Sequence, residues 1–153
     1  MNYKVKHFIE SITGIPDKVK CFYQRGKRGW SDEDWWNLDS YLCTLLPQML
    51  RRLKEKAHGH PCHEEITSFE HWQEILEQMA QGFEAGNRII SDEYYKLTPE
   101  YHKRLEEASM DLDRLPHATP EELAIMREAE QKDEALFHEA IRLLDKYYFG
   151  LWD

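Results

Sequence analysis

Helix-start signals recur along this chain, and no other feature constrains its fold as tightly. Each signal pairs a Ser or Thr with an acidic residue, at Ser31–Asp34, Thr67–Glu70, Thr98–Glu100 and Thr119–Glu122. Such pairs cap helices, and the apolar residues that follow are spaced three and four apart, which places them on one helix face. No segment shows the sustained period-2 alternation of a half-buried strand. The sequence therefore predicts an all-α fold, a single-domain helical bundle of about four longer helices plus two short N-terminal helices.

The first two long helices have clear expected limits. One begins after Ser31 and reaches about Lys56, with a kink or break at Pro47, because proline lacks the N–H that a helix uses. The next begins at the Thr67–Glu70 capping box and ends at Gly86, a good C-cap residue, before a loop over 87–97. The predicted inward residues are Trp35, Leu38, Leu42, Leu45 and Met49 in the first helix, and Phe69, Trp72, Leu76, Met79 and Phe83 in the second.

Two more helices are expected toward the C-terminus, and two short ones at the N-terminus. The first of the C-terminal pair runs from Thr98 to Pro116, and the last helix runs from Thr119 to about Tyr148. The segment Arg127–Glu134 has almost no apolar face, so we expect it to be solvated or to project from the body. The inward residues would be Tyr101, Leu105, Ala108, Leu112 and Leu115 in one, and Leu136, Phe137, Ala140, Leu143, Leu144 and Tyr147 in the other. The short N-terminal helices would cover Asn2–Ile12 and a stretch that starts at Pro16.

Charge is divided unevenly along the chain. The net charge is −9, yet residues 1–28 carry +5 and residues 29–153 carry −14. We expect one domain, 1–153, in which the basic segment 1–28 packs on the acidic bundle 29–153, since opposite charges in one domain usually meet. The acidic body itself should not bind nucleic acid directly, because such binding needs cations that neutralise phosphates.

The chain carries no membrane or secretion signal that we recognise. No apolar run approaches the roughly 20 residues that span a bilayer, and the N-terminus leads into no apolar signal core. Three widely spaced cysteines, Cys21, Cys43 and Cys62, indicate free thiols rather than a disulfide framework. We therefore expect a cytoplasmic protein without a membrane partner. Phosphate-binding, nucleophile and dinucleotide motifs are missing, so no catalytic residue or cofactor is assigned, and a non-enzymatic role is favoured.

Residues 25–36, which we call the Arg/Trp block, form the first candidate site. Arg25 and Arg28 precede a helix start, where backbone N–H groups also favour anions, and Trp30 and Trp36 could stack on a base. This arrangement suits a phosphate or nucleotide. The alternative is structural: the acidic residues 32–34 already occupy the positive helix end, Arg28 pairs with Asp32 or Asp34, and Trp35 lies in the core.

The loop over 58–63 is the second candidate site. It offers His58, His60, Cys62 and His63, whose side chains are zinc-type ligands. One short loop rarely wraps a metal ion, so a second segment would have to contribute. The alternative is an ordinary turn made by the intervening glycine and proline, and no metal is assigned.

Part of the chain resembles a group of small proteins encoded in tailed-phage genomes. The resemblance covers about residues 22–86. It rests on Arg28-Gly29-Trp30-Ser31-Asp32-x-Asp34-x-Trp36-x-Leu38-Asp39-x-Tyr41-Leu42, then on His58-Gly59-x-Pro61 and Trp72-x-x-x-Leu76. It implies a phage-encoded protein that acts in the bacterial cytoplasm. The group has no assigned activity, so no catalytic residue is carried over.

Three functions follow as hypotheses. The main one is a non-enzymatic protein that binds and modulates or inhibits a host defence protein, or another host or phage protein, by presenting Glu128, Glu130 and Glu134 to a basic nucleic-acid groove. The second is a nucleotide sponge that uses the Arg/Trp block. The third is a metal-binding protein or enzyme at the loop over 58–63. The aromatic C-terminus, 147–152, would finish the core or form a homodimer contact.

Overall fold

The fold is described from a computed structural model that covers residues 17–108 and 115–152. Over these ranges the chain is helical and contains no strand, so the predicted all-α fold class is confirmed. The predicted helix at Asn2–Ile12 and the predicted inward residue Leu112 lie outside the described residues. No helix in the described ranges has both the length and the apolar character that a membrane crossing requires.

Six α-helices and two short 3-10 turns make up the described chain. The α-helices are α1 (17–28), α2 (Asp32–Trp36), α3 (Leu38–Lys56), α4 (Phe69–Ser91), α5 (Pro99–Ala108) and α6 (Pro120–Tyr147). The 3-10 turns are Tyr94–Leu97 and Tyr148–Gly150. Residues contact each other mainly within two compact units, Met1–Tyr41 and Leu42–Asp153. The packing of segment 1–28 on the rest of the chain stays a prediction.

The helix start at Ser31 is confirmed, but the helix that follows is much shorter than predicted. Gly29 takes a left-handed conformation with φ of 83° and closes α1, donating its N–H to the Arg25 carbonyl at 2.9 Å. The Ser31 N–H then donates to the Asp34 carboxylate at 2.7 Å, which caps α2. At Asn37 the backbone leaves the helical region, with φ of −120° and ψ of 57°, and α3 starts at the next residue.

Of the predicted kink or break at Pro47, the break was wrong, since α3 runs unbroken through this residue, and the kink stays a prediction. A proline inside a helix leaves a nearby carbonyl without its usual donor. The Gln48 side chain donates to the neighbouring Thr44 carbonyl at 2.9 Å, and Pro47 itself is buried. A proline that the local sequence pattern marks as a helix breaker therefore lies inside α3, where it is buried and where Gln48 adds a side-chain hydrogen bond.

The predicted inward face of this region was also wrong. Trp35, Leu38, Leu42 and Met49 are all exposed. The buried face of α3 consists of Cys43, Pro47 and Leu50, with Leu46 and Leu53 packed against the same core. The break at Asn37 accounts for Trp35 alone, because it separates this residue from α3. Leu38, Leu42 and Met49 lie within α3 itself, where the buried face is turned by about 100° from the predicted one.

The core of the unit Leu42–Asp153 is built mainly on α4. The predicted inward residues Trp72, Leu76, Met79 and Phe83 are buried, which confirms the face of this helix. The C-terminal half of α6 covers it, with the predicted residues Ala140, Leu143 and Tyr147 buried, whereas Leu136 is exposed. In α5, Tyr101, Leu105 and Ala108 are only partly buried and the predicted Leu115 is exposed.

Two glycines let α4 and α6 approach each other closely. A Cβ atom at Gly82 would lie 2.5 Å from the Leu136 carbonyl oxygen, and one at Gly86 would lie 2.6 Å from the Phe137 ring. Gly86 was predicted to end α4, which was wrong: the helix continues to Ser91 and ends at Asp92, whose φ is 48°. Gly86 is therefore a packing residue in the helix interior rather than a cap.

Candidate functional site

In the Arg/Trp block, Arg25 pairs with the carboxylate of Asp34. Its Nε donates to Asp34 Oδ2 at 2.8 Å, and its Nη2 donates to the other oxygen of the same buried carboxylate. The Ser31 N–H donates to Asp34 as well. The hydrogen bond from Arg25 is the main reason that the pKa of Asp34 lies well below its usual range, and the same bond raises the pKa of Arg25.

Arg28 is also paired, as the structural interpretation predicted. Its Nη2 donates to Asp32, its Nε donates to the Trp30 carbonyl at 2.9 Å, and its guanidinium lies 3.8 Å from the centre of the Trp30 ring. Asp32 also accepts a hydrogen bond from Gln24 at 2.7 Å. The hydrogen bonds from Gln24 and then Arg28 lower the pKa of Asp32 well below its usual range.

The tryptophans of the block lie on the surface. Trp30 is 42% exposed, Trp36 75% and Trp35 56%, and the last two rings meet edge to face with centroids 5.5 Å apart. The predicted burial of Trp35 was wrong, because α2 has only five residues and its buried positions are Asp34 and the capping Ser31. The rings could stack on a base, but an anion would first have to displace Asp32 or Asp34. The geometry therefore favours the structural interpretation.

The loop over 58–63 is described completely, and its side chains do not converge on one point. His60 Nδ1 lies 3.1 Å from the Pro61 carbonyl oxygen, and His63 Nδ1 accepts from the Glu65 N–H at 3.3 Å. The His63 ring also packs edge to face on Tyr147, and Cys62 is an exposed free thiol. No group of three or more His, Cys, Asp or Glu side chains in the described ranges could hold a metal ion. The loop thus offers no support for the metal hypothesis.

The three predicted partner-binding carboxylates lie on α6, but they do not share a face. Glu128 and Glu134 are exposed and Glu130 is partly exposed. Because an α-helix turns about 100° per residue, Glu130 and Glu134 lie only about 40° apart, whereas Glu128 lies on roughly the opposite side. None of the three forms an ion pair within the described residues. Only Glu130 and Glu134 can therefore meet one flat partner surface together.

Sequence reasoning missed a groove between the C-terminal end of α4, the turn Tyr94–Leu97 and the middle of α6. At its base Asp133 is buried, although it lies in the segment that was expected to be solvated. Arg88 donates to it through Nε at 2.9 Å and Nη2 at 2.7 Å, and the Tyr94 hydroxyl donates at 3.0 Å. This bidentate pair and the tyrosine together satisfy a carboxylate that burial would otherwise penalise.

The pKa shifts in this groove follow from those contacts. Hydrogen bonding to Arg88 lowers the pKa of Asp133. Burial, and then the hydrogen bond to Asp133, raise the pKa of Tyr94 to about 12. One signal could have identified Asp133 from the sequence: it lies four residues before Phe137 and seven before Ala140, in phase with the buried face of α6. Its two partners could not be identified in this way, since they lie 39 and 45 residues away in the chain.

The chain matches no protein-family model, no curated protein and no solved structure. The structure therefore defines only a class of protein. The chain is all-α, and its second unit, Leu42–Asp153, carries a carboxylate-rich surface on α6 and a groove in which Arg88 pairs with Asp133.

Proposed function

We propose that this chain is a non-enzymatic binding protein that presents carboxylates on α6 to a basic groove of a protein partner. The observation that carries the proposal is the state of the charges in Leu42–Asp153. This part of the sequence holds 23 Asp or Glu but only 13 Lys or Arg. Nine of its twelve described cations already pair with carboxylates: Arg51, Arg52, Lys54, Arg88, Lys96, Lys103, Arg104, Arg142 and Lys146.

Four side chains on α6 form a line that suits such a partner. Leu123 and Ile141 are 37% and 42% exposed, and Glu130 and Glu134 lie between them. Their spacings of seven, four and seven residues keep all four within about 20° of one line along the helix. This α6 stripe (Leu123, Glu130, Glu134 and Ile141) spans about 27 Å at 1.5 Å per residue. An apolar residue lies at each end, and the centre holds the two carboxylates together with Arg127, which lies about 40° from the same line and leaves a net charge of −1.

The N-terminal half of α6 is open for such contacts. Within Pro120–Tyr147 the buried residues are Asp133, Ala140, Leu143 and Tyr147, so the first thirteen residues of the helix include no buried side chain. Complementary charge speeds association and sets specificity, and the apolar ends would contribute to affinity. The resemblance to tailed-phage proteins supports a bacterial host as the cell in which this protein acts. We infer that the partner is a host defence protein whose basic groove normally holds nucleic acid.

Affinity capture from lysates of phage-infected bacteria tests this proposal when the two sides of α6 are compared. The baits are the wild-type chain, Glu130→Lys/Glu134→Lys and the matched control Glu128→Lys, whose charge change lies on the opposite side of the same helix. We expect one partner to be retained by the wild type and by the control, to be lost by the double variant, and to elute at raised salt. Equal loss in both variants, or retention at about 1 M salt where the Debye length is only about 3 Å, would contradict the proposal.

A further inference from the structure

The groove at Arg88 and Asp133 has the size and lining of a small-molecule site. Its volume is about 540 Å³, within the range of about 300–1,000 Å³ that is usual for ligand pockets. Its apolar lining comes from Leu97 and Leu136, which are 52% and 38% exposed, together with Ala129 and the ring of Tyr94. An apolar group of a ligand would remove these side chains from water, and such burial favours binding.

Uncommitted hydrogen-bond donors also line the groove. Asp133 uses Nε and Nη2 of Arg88, so Nη1 forms no hydrogen bond within the described residues, although a guanidinium offers five N–H donors. Lys132 lines the same groove and, in that part of the chain, forms no ion pair. The Lys96 ammonium there is paired with Glu93 at 2.6 Å.

The charges that line the groove indicate which class of ligand it would bind. Among the lining residues, Arg88, Lys96 and Lys132 outnumber Glu93 and Asp133 by one positive charge, while Glu130 lies outside the lining but close enough to act on the Tyr94 hydroxyl. This charge is local, because Leu42–Asp153 as a whole is strongly acidic. A single negative charge beside an apolar body would match the surplus, whereas a cationic ligand would find no unpaired carboxylate in the lining.

We propose that this groove binds a small amphipathic monoanion of the carboxylate class, with its head at Lys132 and Nη1 of Arg88 and its apolar part against Leu97 and Leu136. The site goes beyond the proposed function, because no residue of the α6 stripe lines the groove. Its occupation would not depend on any protein partner.

Calorimetric titration of the full chain with three ligands of equal chain length tests the proposal. The probes are decanoate, decanol and decylamine. We expect decanoate to bind saturably and about tenfold more tightly than decanol, which is the worth of one charge-assisted hydrogen bond of about 1.4 kcal/mol. Decylamine should bind more weakly than either. Absent saturation with decanoate, or equal affinity for decylamine, would overturn the proposal.

Three variants then place the ligand. Lys132→Glu should weaken decanoate at least tenfold, whereas Arg127→Glu, the same charge change at a residue of α6 outside the groove, should leave it nearly unchanged. Leu97→Gln changes an exposed side chain that the fold tolerates, and it should weaken decanoate and decanol alike. Far-ultraviolet circular dichroism confirms folding of each variant. Equal effects of Lys132→Glu and Arg127→Glu, or full decanoate affinity in both Lys132→Glu and Leu97→Gln, would refute the site.

Discussion

Replacing Gly82 by alanine is expected to destabilise the protein, although alanine is the better helix former. An added Cβ would lie 2.5 Å from the Leu136 carbonyl oxygen and closer still to the Ala140 Cβ. In an exposed helix the substitution would gain about 1 kcal/mol of helix propensity. Overpacking of a tight interface costs about 1–3 kcal/mol, and here the obstructing atom belongs to the backbone of α6, which cannot change rotamer.

We therefore expect a net loss of about 1–2 kcal/mol in the free energy of unfolding for Gly82→Ala. The melting temperature should fall by about 2–4 °C for each kcal/mol in a chain of this length. Urea unfolding followed by the helical circular dichroism signal measures the loss. Adding Ala140→Gly to this variant should restore only part of the lost free energy of unfolding, because the Leu136 carbonyl remains in place.

The same substitution at Gly26 provides the matched control. Gly26 lies inside α1, and an added Cβ there would meet nothing within 4 Å. Gly26→Ala should therefore be neutral or stabilising by up to about 1 kcal/mol. If Gly82→Ala proved as stable as the wild type, the close approach of α4 and α6 at this glycine would be refuted.

Three further outcomes follow from the charged contacts. Hydrogen bonds from Arg51 and then Lys54 lower the pKa of Glu77 to about 2. Because that folded-state pKa is depressed, the contribution of Glu77 is present above about pH 4.5 and lost as pH falls toward 2. Glu77→Gln should therefore cost about 1 kcal/mol at pH 7 and only a small part of that near pH 2 in urea titrations, and a loss that is independent of pH would contradict this. Asp133→Asn should cost about 1–3 kcal/mol by leaving Arg88 without its carboxylate, and unchanged urea stability would count against the pairing. Mono-, cyclic and dinucleotides should leave the melting temperature unchanged, because the arginines of the Arg/Trp block are already paired; a clear rise would restore the nucleotide hypothesis.

Local signals in the sequence were sufficient for the fold class and for several helix starts. Ser31 and Thr119 cap helices as expected, since a cap depends on residues within one turn of each other. The inward face of α4 was also predictable, because its 3-4 spacing continues over about four turns without a break. The break at Asn37 was not predictable, and it separated Trp35 from the helix in which it was expected to face the core.

The remaining differences depend on contacts between distant segments. Gly86 carries a good local signal for a helix end, but the position of Phe137 decides that it packs inside the helix instead. Arg88, Tyr94 and Asp133 are unremarkable in their own segments, and only the packing of α4 on α6 brings them together. The α6 stripe, in contrast, follows from the sequence, because its carboxylates lie in a predicted helix and helix phase alone places Glu128 on roughly the opposite side.

The central claim is that a basic partner meets one side of α6, and affinity measured on both sides of the helix tests it most directly. The partner captured from infected cells is titrated with the wild type, Glu134→Lys and Glu128→Lys at low and at raised salt. We expect Glu134→Lys to bind about tenfold more weakly and Glu128→Lys to bind nearly as the wild type does, with the gap narrowing as salt rises. Equal affinities of the two variants, or a gap that salt does not change, would contradict the account.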